Sequence, residues 1–231
     1  MTESNTDIRA IVTDIEGTTS SIDFVHQTLF PYAAQHLPAF VRTYEHQAAV
    51  AILLKEVRQQ MQEPEADLQQ VIAALRQWIK DDIKAPPLKA LQGLIWKQGY
   101  QSRAFTGHVY ADVARNLRKW CAQGIDIYVY SSGSVEAQKL LFEFSEAGDL
   151  TGLFKGYFDT RTGQKRDVQS YRNIIRQVAL EPHQILFLSD IVEELDAAAS
   201  AGMQTIQLVR DVHTRTGLHS IVHNFDEITF R

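Results

Sequence analysis

The stretch Ile8-Arg9-Ala10-Ile11-Val12-Thr13-Asp14-Ile15-Glu16-Gly17-Thr18-Thr19 decides the fold. Its first half is a short apolar run with β-branched residues that stops at Asp14. Such a run, bounded by polar residues, predicts a strand buried on both faces over residues 8–13. Both faces are buried when helices cover a parallel sheet, so this segment already points to an α/β protein. Glu16 to Ser21 then reads as a loop. In open α/β sheets ligands sit beyond the carboxyl ends of the strands, which is where Asp14 and Glu16 fall.

Downstream the pattern changes. Between about Phe24 and Tyr100, Val50, Leu53, Leu54, Val57 and Met61 recur at spacings of three and four, as do Leu68, Val71, Ile72, Leu75 and Ile79. These are amphipathic helices, about four in all, with no convincing strand. Pro38, Pro64 and Pro86-Pro87 are expected to punctuate them, since proline is excluded from helix interiors. After that, helices and strands alternate. A helix is expected over His108–Gln123, with Gly124 ending it, and a strand over Ile125–Tyr130. A helix over Val135–Glu146, capped by Ser134, comes next, and another over Asp167–Ala179. Ile185–Leu188 reads as a strand, Val192–Ala201 as a helix and Thr205–Val209 as a strand. The expected architecture is a doubly wound, mostly parallel, Rossmann-like α/β core over residues 1–19 and 104–231. An all-helical cap over 20–103 is inserted after the first strand, and a cap of this kind is expected to open and close.

Composition supports this and narrows the partners. The chain has 231 residues, a size for one domain with an insertion or for two small domains, and an apolar fraction of 45%. Cys121 is the only cysteine, which excludes a disulfide scaffold. No apolar stretch reaches the length of a membrane span, and the polar, acidic start has no signal-peptide character, so a cytoplasmic location is expected. The formal net charge of -5, without a basic patch, argues against nucleic acid. No dimerisation stripe is evident, and a monomer is expected.

The polar residues at the carboxyl ends of the predicted strands suit one job, phosphoryl transfer to a carboxylate. Asp14 and Asp190 lie at two strand ends, suited to share a hard cation such as Mg²⁺. Lys165 adds a fixed positive charge. Ser131 and the backbone N–H of Ser132, just before a helix N-terminus, are suited to bind phosphate oxygens. Asp14 and Glu16 are two residues apart, so one can attack while the other protonates the departing alkoxide.

Taken in order, Asp14-Ile15-Glu16-Gly17-Thr18-Thr19, Tyr130-Ser131-Ser132-Gly133-Ser134, Phe158-Asp159-Thr160 leading to Lys165, and Ser189-Asp190-Ile191-Val192-Glu193-Glu194-Leu195-Asp196 form one pattern. It resembles the haloacid dehalogenase superfamily. With Glu16 where most of that superfamily has Asp, it is similar to the enolase-phosphatase family of methionine salvage. The resemblance implies one Mg²⁺ per chain, held by Asp14, Glu16 (through its backbone carbonyl) and Asp190. It implies Asp14 as nucleophile, Glu16 as general acid and then base, and Lys165 as the group that neutralises the phosphate bound at Ser131 and Ser132. The implied substrate is a small phosphorylated diketone, 2,3-diketo-5-methylthiopentyl-1-phosphate, enolised and then hydrolysed to an acireductone. A generic small-molecule phosphatase of the same superfamily is the first alternative. A phospho-Asp receiver domain is the alternative of another class, and the nucleophile's place on the first strand argues against it.

Some residues stay open between two readings. Glu193 and Glu194 fit a carboxylate beside Lys165 or the metal, or a solvated helix face. Cys121 reads as a core thiol, and Trp78, Trp96 and Trp120 as packing. Arg210-Asp211-Val212-His213-Thr214 departs from the tail that the resemblance implies.

Overall fold

The structure is a computed structural model that describes residues 7–81 and 83–229. The chain divides into two compact units, one formed by Met1–Ile22 with Gly107–Arg231, the other by Asp23–Thr106.

The first unit is a six-stranded, all-parallel sheet. Its strands are β1 (Ala10–Thr13), β2 (Asp126–Tyr130), β3 (Gly156–Phe158), β4 (Ile185–Ser189), β5 (Gln204–Leu208) and β6 (Ser220–Val222), in the order β3-β2-β1-β4-β5-β6. β1 lies inside the sheet, in register with β2 (Thr13 beside Val129) and with β4 (Thr13 beside Leu188). All four β1 residues are buried, as an apolar run without alternation requires. The chain builds outward from β1 through β2 to β3, then returns to the other side of β1 for β4. The strand order therefore reverses beside β1, which makes its carboxyl end the natural crevice of the sheet.

The second unit is helical: α1 (Phe30–Tyr44), α2 (Ala48–Met61), α3 (Leu68–Lys80) and α4 (Pro86–Gln101), preceded by a short turn of helix from Ile22. Leu37, Val57, Val71, Leu75, Leu88 and Leu91 meet in a core of its own. Asp67 caps α3 in a reciprocal box with Gln70, and Pro86 opens α4, where its missing N–H costs nothing. Pro38 corrects the sequence reading: it lies inside α1 rather than ending a helix. An interior proline costs about 3 kcal/mol. Here α1 also buries Ala33, Leu37, Phe40 and Val41, and burial of about 1.5–3 kcal/mol per large side chain outweighs that cost.

The remaining helices belong to the first unit: α5 (Ala111–Ala122), α6 (Val135–Glu143), α7 (Val168–Val178) and α8 (Val192–Ser200). Gly124 follows α5 at φ +83°, and Ser134 caps α6 by accepting from the Ala137 N–H at 3.2 Å. α5 starts three residues later than the sequence suggests. The Tyr110 N–H is spent on the Thr19 carbonyl (3.1 Å), and His108 Nδ1 accepts from the Ser21 N–H (3.0 Å), so 108–110 form a tie rather than a helical turn. Ala10, Val12 and Phe187 pack on one face of the sheet with Tyr171 and Ile174 of α7 and Leu195 and Ala198 of α8. Trp120 and Leu117 of α5 are likewise buried. Among the described residues no helix is long and apolar enough to cross a membrane.

Candidate active site

The carboxyl ends of β1, β2 and β4 carry the sequence-predicted groups. Asp14 follows β1 directly, and its N–H is held by the Leu188 carbonyl at 2.9 Å. The chain then turns tightly: the Thr19 and Ser20 N–H groups both donate to the Ile15 carbonyl (2.9 Å), and the Gly17 N–H donates to that of Ser20 (2.8 Å). Gly17 takes φ +75°, a conformation that favours glycine. A Cβ there would fall 2.6 Å from the carboxyl carbon of Asp190, so its lack of a side chain also makes room for that carboxylate. Thr18 and Thr19 are fully buried, and the Thr19 hydroxyl donates to the Asp14 carbonyl at 3.2 Å. The Thr18 hydroxyl points to Asp14 Oδ2 at 3.5 Å. Glu16, in contrast, is exposed.

Lys165 comes from the loop between β3 and α7 and is 8% exposed, far from the solvated lysine that the residue would be on its own. Its ammonium pairs with Asp14 Oδ1 and with Glu194 Oε2, the latter at 2.6 Å. Burial works against the ammonium, but the charges of Asp14 and Glu194 outweigh it and raise Lys165 above the ordinary lysine range. The loop is braced by the Tyr171 hydroxyl, which donates to the Lys165 carbonyl at 2.7 Å. Upstream, Asp159 accepts from the Arg161 backbone N–H at 2.9 Å and from its guanidinium.

Glu194 resolves one ambiguity of the sequence. It is buried on the first turn of α8, accepts from the Ser189 hydroxyl at 2.9 Å and faces Lys165, whereas half-buried Glu193 pairs with Arg215. Burial first, then the charge of Asp14, push the Glu194 carboxyl up to about 7. Asp190 is likewise pushed up to about 7, by burial first and by Asp14 second. Its Oδ1 is buried without a hydrogen-bond partner. Three carboxylates (Asp14, Asp190 and Glu194) thus gather around one ammonium. A buried acceptor without a donor is costly, and so is a surplus of negative charge. Among the described residues no three His, Cys, Asp or Glu side chains form a metal-ligating group by themselves.

On the β2 side, Ser131 is buried and its Oγ accepts from the Gly133 N–H at 3.1 Å; Ser132 is exposed. Gln138 of α6, nearly fully buried, donates to the carbonyls of Gly133 (2.8 Å) and Phe158 (2.9 Å) and so pins this turn to the end of β3. The structure therefore brings Asp14, Lys165 and Glu194 into direct contact and sets Asp190 against the Gly17 turn. The Ser131 hydroxyl is engaged within its own turn, with the Gly133 N–H. Sequence reasoning missed Gln138, because a glutamine in an amphipathic helix looks like surface. It missed the structural part of Ser189 because the serine precedes a more conspicuous aspartate.

Residues 8–202 match the family of haloacid dehalogenase-like hydrolases. Enolase-phosphatase E1 of Erwinia tasmaniensis is 55% identical over 221 residues, 96% of this chain and 96% of that protein. Enolase-phosphatase E1 of Pseudomonas fluorescens is 55% identical over 96% of this chain and 97% of its own. The crystal structure of the UTR4 protein of Saccharomyces cerevisiae superposes with a TM-score of 0.81 at 35% identity, covering 96% of this chain and all of that one. The chain belongs to the haloacid dehalogenase-like hydrolases and, among them, to the enolase-phosphatase family.

Proposed function

We propose that this chain enolises 2,3-diketo-5-methylthiopentyl-1-phosphate and then hydrolyses it, giving the acireductone 1,2-dihydroxy-3-keto-5-methylthiopentene and phosphate, in the salvage of methionine. Kinship over nearly the whole length of the enolase-phosphatases supports the substrate. The observation that carries the chemistry is the buried Lys165 ammonium held between Asp14 and Glu194 at the crevice of the sheet.

Asp14 is the nucleophile. A carboxylate oxygen of Asp14 bonds to phosphorus as the bond from phosphorus to the substrate oxygen breaks, and Glu16 gives that oxygen its proton. Water then attacks the aspartyl-phosphate. Glu16, now a carboxylate, takes the water's proton, and phosphate leaves with Asp14 restored. The exposure of Glu16 suits a group that must meet both substrate and water. Lys165 offsets the phosphoryl charge, and Glu194 holds Lys165 in place. Ser131 and the backbone N–H of Ser132 bind phosphate oxygens.

A divalent cation fits the residues present. The orphaned Asp190 Oδ1 and the surplus of carboxylate over ammonium are what a cation would relieve. Asp14 and Asp190, with the backbone carbonyl of Glu16, would hold one Mg²⁺ per chain, a donor set of hard oxygens. When bound, the ion supplies the positive charge that lets an anionic carboxylate approach an anionic phosphate. The helical unit serves as the cap domain of the enzyme. The protein works as a cytoplasmic monomer on a small molecule, without nucleic acid or membrane.

The test follows the ultraviolet absorbance of the enol with the diketo phosphate as substrate, while released phosphate is counted in parallel. An enol signal followed by phosphate, abolished by EDTA and restored by Mg²⁺, is expected. Asp14→Asn should release no phosphate while its circular dichroism stays that of the parent. An inert diketo phosphate alongside rapid hydrolysis of p-nitrophenyl phosphate would leave a phosphatase of another substrate, and substantial turnover by Asp14→Asn would remove the nucleophile.

A further inference from the structure

The segment that departs from the tail implied by the sequence resemblance turns out to be tied to the nucleophile's loop. Arg210 lies two residues beyond β5, and its side chain is only 9% exposed. It donates twice to one acceptor, the carbonyl of Thr18, from Nε at 3.1 Å and from Nη2 at 3.0 Å. Its other edge pairs with Asp112 at the start of α5, Nη1 to Oδ1 at 3.0 Å and Nη2 to Oδ2 at 2.9 Å. Asp112 Oδ2 is itself fixed by the Phe225 N–H at 2.8 Å. The guanidinium plane is held by two rings, with its carbon 4.3 Å from the centre of Tyr110 and 5.3 Å from that of Phe225. Tyr110 adds its own N–H to the next carbonyl of the loop, that of Thr19, at 3.1 Å.

These contacts leave the guanidinium almost no freedom, and only an arginine offers so many donors in one rigid fork. What it grips is the far side of a five-residue turn. The near side carries Asp14, to which the Thr18 hydroxyl points at 3.5 Å, and Glu16. Thr18 is fully buried, so its carbonyl depends on the fork for its partners, and a water in the fork's place would not hold it to Asp112 in the same way.

We infer that Arg210 is a positioning residue for the phosphatase reaction: by clamping the Thr18 carbonyl against Asp112 it sets where Asp14 and Glu16 stand. This rests on the roles proposed above for those two carboxylates. A misplacement of about 1 Å at reacting groups costs on the order of 10²-fold in rate. Loss of the clamp therefore shows in kcat, while KM, set by groups outside the loop, stays nearly constant.

Arg210→Ala and Arg210→Lys are compared with the parent on the diketo phosphate and on p-nitrophenyl phosphate. Assays run with saturating Mg²⁺, at a temperature where melting curves show each protein fully folded. The expected result for Arg210→Ala is a kcat lower by about 10- to 100-fold with KM within about twofold. Millimolar methylguanidinium, which fits the vacated place between Asp112 and Thr18, should restore part of that kcat. It should leave Arg115→Ala unaffected, whose guanidinium pairs with Asp226 at the surface. Arg210→Lys, which keeps the charge but not the fork, should fall between parent and alanine variant; if the alanine variant does not fold, this variant carries the kcat and KM comparison. A folded variant with parental kcat overturns the inference, as does a loss that methylguanidinium does not lift. A parent protein inactive on both substrates overturns the proposed function instead.

Discussion

Gly17 offers the sharpest test of the site, because one methyl group separates two effects. In Gly17→Ala the new Cβ would lie 2.6 Å from the Asp190 carboxyl carbon, at a backbone φ of +75°. Carbon atoms in contact stay about 3.5–4.0 Å apart, so the Asp190 carboxyl has to retreat by about 1 Å. The left-handed backbone adds strain of about 1–2 kcal/mol. Gly124 supplies the control: its φ is +83°, and nothing lies within 4 Å of a Cβ built there. Gly124→Ala therefore carries the strain without the clash. For a chain of this length each kcal/mol lowers Tm by about 2–4 °C, so both variants should melt about 2–8 °C below the parent, Gly17→Ala the lower of the two. Their activities should diverge. With the cation-holding role proposed above for Asp190, its displacement by about 1 Å predicts a loss on the order of 10²-fold for Gly17→Ala, against parental turnover for Gly124→Ala. Phosphate release at saturating substrate, read below both melting transitions, decides the matter. Should Gly17→Ala keep its rate within threefold of the parent, or Gly124→Ala lose as much, the placement of Asp190 against the turn has no catalytic meaning.

Three further outcomes are expected. Glu194→Gln keeps the shape and the Ser189 contact but removes one of the two charges on Lys165, and should lower kcat by about 10- to 100-fold; unchanged steady-state kinetics would make Glu194 a bystander. Burial works against the Asp159 carboxylate, yet the Arg161 hydrogen bonds and charge prevail and hold it below its ordinary value, so its contribution to stability is present above about pH 4 and is lost as pH falls through the depressed value. Thermal melts from pH 2.5 to 7 should accordingly show a flatter acid limb for Asp159→Asn than for the parent, and parallel curves would contradict it. Leu75→Ala, at a fully buried position in the helical unit, should cost about 2–5 kcal/mol in urea unfolding followed by circular dichroism; a cost under about 1 kcal/mol would mean that this core is loosely packed.

Much of this was legible in the sequence because it rests on local patterns. The apolar run before Asp14 needs no partner to be recognised as a buried strand, and the spacings of α2 and α3 declare their buried faces. What escaped depends on distant partners. β3 and β6 are three residues each, too short for a period, and exist because β2 and β5 offer them edges. Pro38 is tolerated for the sake of a core drawn from three other helices. Glu193 and Glu194 are adjacent and chemically alike, and only the position of Lys165 on another loop tells them apart. Arg210 meets Thr18 across 192 positions of chain, a distance at which no motif reaches.

The position of β1 at the heart of the sheet also constrains how the chain is made. Its neighbours are β2, with Ala10 beside Asp126, and β4, with Ala10 beside Ile185. A ribosome adds about 5–20 residues per second, so Ala10 waits roughly 10–35 s for its second neighbour. Until β4 is made, this largely apolar strand has at most one of its two neighbours, and such strands are where aggregation starts. The helical segment that follows β1 closes a core from contacts within about 80 residues, so it can condense first. The order of synthesis thus leaves β1, which leads to Asp14, translated before both of its sheet neighbours and among the last segments secured, an interval in which the nascent chain is open to aggregation.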